Sequence, residues 1–217
     1  DLVTGVQTCA LPISTPMAPH NLGLTLVGAA MLWIGWFGFN AGSSLAANGT
    51  AGMAMLVTQI ATAAAALSWM FAEWIARGKP SVLGIISGAV AGLVAITPAS
   101  GFVGPVEALL IGSVAGILCQ EAGNFVRNKL KIDDTLDVFA VHGVGGIFGT
   151  IMIAAFGAGT WAAQLGSLAI VGVFTAVVTV AIILVVRLVT PLRVDAETET
   201  NGLDLSVHGE RAYEFNS

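Results

Sequence analysis

Residues 22–43 read LGLTLVGAAMLWIGWFGFNAGS, a run without one charged side chain. About 20 mostly apolar residues suffice for an α-helix to cross the hydrocarbon core of a bilayer, so this stretch reads as a membrane span. Outward from it the pattern repeats. Apolar runs follow at about 53–76, 82–97, 105–128, 136–156 and 163–188, separated by short polar or Gly/Pro-marked breaks. The third is the shortest, and the last is long enough to tilt or to project beyond the membrane. The expected fold class is all-α, a polytopic bundle of six transmembrane helices. A soluble helical core would need polar faces at helical period on its outer helices, and the first, third and sixth runs show almost none.

Composition points the same way. Of 217 residues, 56% are hydrophobic and only 10% charged, whereas charged residues make up about a quarter of soluble domains. The formal net charge is -5, with acids concentrated towards the C-terminal end, and a chain without a basic face is no nucleic-acid partner. Cys9 and Cys119 lie far apart and suggest neither a disulfide frame nor a metal cluster. Residues 1–16 have no Lys or Arg and no long apolar core, and so do not read as a signal peptide. DLVTGVQTCALPIS resembles the translated remnant of a sequencing adapter, so this leader is expected to be non-native. The expected organisation is a leader over 1–16, a transmembrane domain over 17–191 and a tail over 192–217.

Short loops rich in Lys and Arg stay in the cytoplasm. Arg77 and Lys79 follow the second run, Arg127, Lys129 and Lys131 the fourth, and Arg187, Arg193 and Arg211 the sixth. With six spans all eight positive residues fall on one side, which places both ends of the sequence in the cytoplasm. Glycines four apart recur in the third, fourth and fifth runs: Gly84, Gly88 and Gly92, then Gly112 and Gly116, then Gly145 and Gly149. Small residues at this spacing let helix backbones approach closely in lipid. GVGGIFG lies inside an apolar run with no strand before it, so it is a packing surface and no nucleotide-binding loop.

Ionisable groups at membrane depth are costly and mark candidate sites. Glu73 precedes Arg77 by four residues, the spacing of a helical ion pair. Glu121 has no assignable role. His142 lies about seven residues into the fifth run, roughly 10 Å along the helix at 1.5 Å per residue, so its ring faces either protein or a pathway. Both readings stand on these residues alone. Asp134 and Asp137 open that run at the spacing of a helix N-cap and its N3 partner. A metal site from Asp133, Asp134, Asp137 and His142 is disfavoured, because His142 lies five residues past Asp137, about 140° around the helix. In the first run Trp36, Phe39 and Ser43 share one face at i, i+3 and i+7. They could form a cation-binding cup, with up to about 2 kcal/mol of cation–π attraction when desolvated, or belong with Trp33 to an interfacial aromatic belt. Asn48, Gly49 and Thr50 fit a glycosylation acceptor, with a simple turn as the plainer reading.

The same stretches carry a resemblance. PHNLGLTLVGAAMLWIGWFGFNAGS is similar to the sixth-helix signature of the ammonium transporter (Amt/Rh) family, and RGKPSVLGIISGAVAGLVAITPASGFVG to its next hairpin. DDTLDVFAVHGVGGIFG resembles the helix bearing the second of two pore histidines, and GLDLSVHGERAY the cytoplasmic tail. The aromatic run resembles the microbial Amt branch more than the Rh branch.

The resemblance implies an eleven-helix fold of two inverted halves plus a final helix, of which this chain matches spans six to eleven. It implies a homotrimer in the cell (inner) membrane, with ammonia conducted through a pore in each subunit. Trp36 and Ser43 then match the outer ammonium-recruitment site, Phe39 one of two gating phenylalanines, and His142 the second pore histidine, while Asn40 has only a packing or hydrogen-bonding role. His20 and His208 fall outside the spans and do not replace the first pore histidine. The remaining implications are no enzyme activity, no cofactor, no metal, a membrane-lipid environment and a possible regulatory partner of the PII type. A sensor of the same fold is the alternative function. This half alone is expected not to transport.

Overall fold

The computed structural model describes residue 19 and residues 21–132, 134–195, 197–198 and 202–210. Cys9, His20, Asp133, Arg211 and the whole leader lie outside them. Six α-helices follow in order: α1 Leu22–Gly42, α2 Gly49–Arg77, α3 Val82–Ile96, α4 Pro105–Phe125, α5 Gly145–Ala155 and α6 Trp161–Arg187. A π-helical segment, Val126–Leu130, extends α4, and another, Phe139–Val144, runs directly into α5. No strand occurs among the described residues.

Polar residues in the breaks start the helices. Asn21 accepts from the Leu24 N–H at 2.9 Å, Ser81 from Gly84 at 2.9 Å and Thr160 from Ala163 at 3.2 Å. Each satisfies one of the amides left without a partner at a helix start. Asn48 does the same for α2, accepting from Ala51 at 3.0 Å, so in this sequon the side chain is a helix cap. Gly78 ends α2 in the left-handed region at φ 78°, where glycine has no steric penalty.

Four helical stretches are long and apolar enough to cross a membrane: Leu22–Gly42, Gly49–Arg77, Pro105–Leu130 and Trp161–Arg187. Val82–Ile96 and Phe139–Ala155 are shorter apolar helices. At 1.5 Å per residue the 15 residues of α3 reach roughly 22 Å, short of the roughly 30 Å hydrocarbon core. Of the six apolar runs read from the sequence, four are helices of spanning length and two, the third and the fifth, are shorter. Past α3 the chain continues in a compact turn, where Ala99 donates to Ile96 O at 2.9 Å and Phe102 to Ala99 O at 2.8 Å. Ala99, Ser100 and Val103 are buried there, and non-helical backbone is tolerated at membrane depth when protein covers it.

The core lies where α2 packs between α3 and α4. A Cβ added to Gly112 of α4 would run into the Ala61 carbonyl of α2, and one added to Gly92 of α3 would stand 2.6 Å from that same oxygen. One turn further along α2, the Ala65 carbonyl is pinched in the same way between Gly88 and Gly116. Two small-residue layers therefore let three backbones meet, as the spacing of four leads one to expect. α6 is the opposite case: it packs on α5 and buries none of its residues. With a mean hydropathy of 3.0 over its most apolar window, that face belongs against lipid or another helical surface and not against water.

Glu73 staples the α2–α3 hairpin. It is 6% exposed; its carboxylate pairs with Arg77 at 3.2 Å and accepts from both the N–H and the hydroxyl of Ser81 at 2.9 Å. The sequence spacing had shown the Arg77 pair but not Ser81. Glu73→Ala leaves the Ser81 amide without its acceptor and is expected to cost about 1–3 kcal/mol, read as a lower apparent melting temperature in detergent. Glu73→Gln, which keeps one acceptor oxygen, loses less.

Candidate functional site

Of the four site residues expected from sequence, Trp36 and Phe39 lie on α1, Ser43 caps its C-terminal end and His142 lies in the π-helical turn before α5. Trp36 and Phe39 meet edge to face, with ring centroids 6.0 Å apart and planes at 76°, the favoured geometry for opposed quadrupoles. The Trp36 indole N–H donates to the Thr97 hydroxyl at 2.7 Å, and Thr97 donates onward to the Leu93 carbonyl at 2.7 Å. Thr97 thus fixes the indole plane from the end of α3. Phe39 is 60% exposed. Ser43 spends its proton on the Phe39 carbonyl at 2.7 Å, which leaves the hydroxyl oxygen as an acceptor facing outward. Asn40, 5% exposed, donates to Thr58 at 3.0 Å and so ties α1 to α2.

His142 occupies the π-helical turn Phe139–Val144. Its neighbour Val141 packs into a buried cluster with Trp69, Ala91, Val94 and Cys119, against which Trp36 also rests. The α1 aromatic pair and the histidine turn are therefore anchored on one cluster. The imidazole itself points away from it: His142 is exposed, and its ring has no hydrogen-bond partner among the described residues. An outward imidazole offers one donor and one acceptor nitrogen when neutral.

The acidic residues ahead of His142 differ from the expected cap and N3 pair. Asp134 alone accepts from three amides, Val138 at 2.7 Å, Phe139 at 3.0 Å and Ala140 at 3.3 Å. Asp137 sits at φ 55° and pairs with Arg127 on the α4 extension. Both carboxylates are thus engaged by the protein itself, and no group of three or more His, Cys, Asp or Glu among the described residues could hold a metal ion.

Glu121 is exposed on α4. Phe71 and Trp74 stack at 6.4 Å near the Arg77 end of α2, the level where interfacial aromatics gather. In the tail, the Thr198 N–H and hydroxyl, each 2.9 Å from the Asp195 carboxylate, hold Asp195 below the usual carboxylate range. Thr97 and Asp134 are the residues sequence reading undervalued. Thr97 carried no signal, being 61 positions from Trp36.

Long apolar helices that meet through small-residue layers define the class of polytopic helical membrane proteins. Comparison narrows this. Residues 12–213 match the model of the Ammonium Transporter Family, so the chain belongs to the ammonium transporter family. The match begins within residues 1–16, which were expected to be non-native. An ammonium transporter of Aquifex aeolicus is 46% identical over 92% of this chain and 50% of its own length. One from Bacillus subtilis is 43% identical over 92% of this chain and 54% of its own length. Among solved structures, a sensor Amt protein superposes with a TM-score of 0.80 at 35% identity, covering 90% of this chain and 51% of the other. Candida albicans Mep2 gives 0.72 at 32%, covering 81% and 43%. The chain spans about half the length of the curated relatives it matches.

Proposed function

We propose that this chain forms one wall of an ammonium pathway and corresponds to the second half of an ammonium transporter, spans six to eleven of eleven. The observation that carries this is His142, outward and without a hydrogen bond among the described residues, whose neighbour Val141 sits in the same buried cluster that Trp36 rests on. In this reading ammonium is recruited at Trp36 and Ser43, where the indole face and a hydroxyl acceptor favour a small cation. It gives its proton to solvent water at the outer mouth near the Phe39 gate, and ammonia passes a neutral imidazole at His142. Potassium is disfavoured because it keeps its charge and donates no hydrogen bond. Pathways of this kind form at the interface of inverted repeats, so the other wall is supplied by an upstream half.

The same reading places the protein in the cell (inner) membrane with both ends of this sequence cytoplasmic, supported by the one-sided Lys and Arg. It makes the assembly a homotrimer, with a PII-type regulatory protein at the cytoplasmic face, as family resemblance implies. A sensor of the same fold is the second reading, favoured by the likeness to a sensor Amt protein.

Radiolabelled methylammonium uptake tests the half-pathway reading. Cells making only residues 17–217 are expected to take up no more than cells without it, while the complete transporter restores uptake. Uptake by residues 17–217 that His142→Ala abolishes would refute it. A complete protein that binds ammonium without moving methylammonium would support the sensor.

A further inference from the structure

The segment carrying His142 is held at both ends. Upstream, the Asp134 carboxylate gathers the amides of Val138, Phe139 and Ala140, and Asp137 is tied to Arg127. Downstream, Gly149 lies against the Ala95 carbonyl, where no Cβ fits, and Gly145 packs beside the Cys119 sulfur. These contacts fix the rotational phase of α5 on α3 and α4. Between the two anchors the chain winds as the π turn Phe139–Val144.

A π turn holds one residue more than the α-helical turn it replaces. Rewinding it as α-helix with α5 fixed would rotate the upstream residues progressively, by up to about 100°, the step of one residue. Ala140, 0% exposed and near the start of the turn, would swing out of the core. His142, nearer α5, would swing part of the way towards the side now held by Val141, which is 4% exposed. The observed exposure of His142 therefore depends on the extra residue staying in the turn.

We infer that Asp134, braced by the Asp137–Arg127 pair, is the positioning residue that keeps this turn in its π form and so turns His142, and not Ala140, to the outward face. Without the carboxylate, three amides at the start of the segment lose their acceptor. With only the Asp137–Arg127 pair and the Val141 amide on the Asp137 carbonyl left upstream, the less common π winding is no longer held at its first amides, and the turn relaxes to α-helix. The functional consequence rests on the proposal that the outward face is a pathway wall, but the positioning itself does not.

The test uses the 217-residue chain in lipid nanodiscs, with labelling located by mass spectrometry. Diethyl pyrocarbonate reports on His142, and N-ethylmaleimide on the thiol of an Ala140→Cys variant. In the parent, His142 reacts readily and the thiol is protected. With Asp134→Ala added, His142 is expected to slow about fivefold and the thiol to react about tenfold faster, because a group in the core reacts only through local opening. Thr160→Ala, which removes the α6 cap, is expected to change neither. No change with Asp134→Ala, both sites becoming reactive together, or the same shift with Thr160→Ala would each overturn the inference. If Asp134→Ala does not accumulate in membranes, Asp134→Asn, which keeps one acceptor oxygen, is read the same way with a smaller exchange. Exchanged labelling with unchanged methylammonium uptake through the complete transporter carrying Asp134→Ala would uphold the positioning and refute the pathway wall.

Discussion

Gly112→Leu is expected to abolish the accumulation of folded protein in the membrane, and Gly112→Ala to cost about 1–3 kcal/mol, the usual penalty for overpacking. The Gly112 backbone lies directly on the Ala61 carbonyl, and Gly92 presses on the same oxygen from the other side. α2 therefore cannot retreat from a new side chain on α4 without colliding with α3. Interiors this dense transmit a displacement instead of absorbing it. The Ala65 layer one turn away, closed by Gly88 and Gly116, would have to open as well. Gly172→Ala on α6, where a Cβ meets nothing within 4 Å, is the control and is expected to be near neutral. Membrane-fraction yield and apparent melting temperature in detergent read both outcomes.

His142→Ala is expected to leave folding untouched and to lower methylammonium uptake through the complete transporter about fivefold to a hundredfold. The ring is exposed and makes no hydrogen bond among the described residues, so within this half its removal leaves no cavity and no orphaned partner. Its neighbours Ala140 and Val141 carry the packing of the turn. Transport is different. Ammonia crossing an apolar passage has lost its water, and losing a hydrogen-bond partner there costs about 1–3 kcal/mol. Each 1.4 kcal/mol is a factor of ten. A variant equally lowered in yield and in uptake would mark His142 as a structural residue.

The fold was legible where one helix carries its own signal. Uncharged runs gave the helices, glycines four apart gave the faces that meet at Ala61 and Ala65, and the four-residue spacing of Glu73 and Arg77 gave their pair. Features made between distant segments were not legible. Thr97 orients Trp36 across 61 positions, and Ser81, the cap of α3, joins Glu73 of α2 across the break between the two helices. Asp137 reaches Arg127 on another helix, which leaves Asp134 to hold the three amides that a cap and N3 pair would have shared. The π turn at Phe139–Val144 escaped as well, because adding one residue hardly alters hydrophobic periodicity in a run apolar on nearly every side. The site residues were named from the aromatic spacing, the depth of His142 and a family resemblance. Their common anchorage on the cluster around Trp69 and Cys119 needed the structure.

The most direct measurement follows chemical modification and transport together in the complete transporter reconstituted in liposomes. Diethyl pyrocarbonate modification at His142, quantified by mass spectrometry, is set against methylammonium uptake over the same time course. If His142 lines the pathway, uptake falls as His142 is modified, and hydroxylamine, which removes the adduct, restores it. Undiminished uptake with His142 fully modified would contradict the pathway wall.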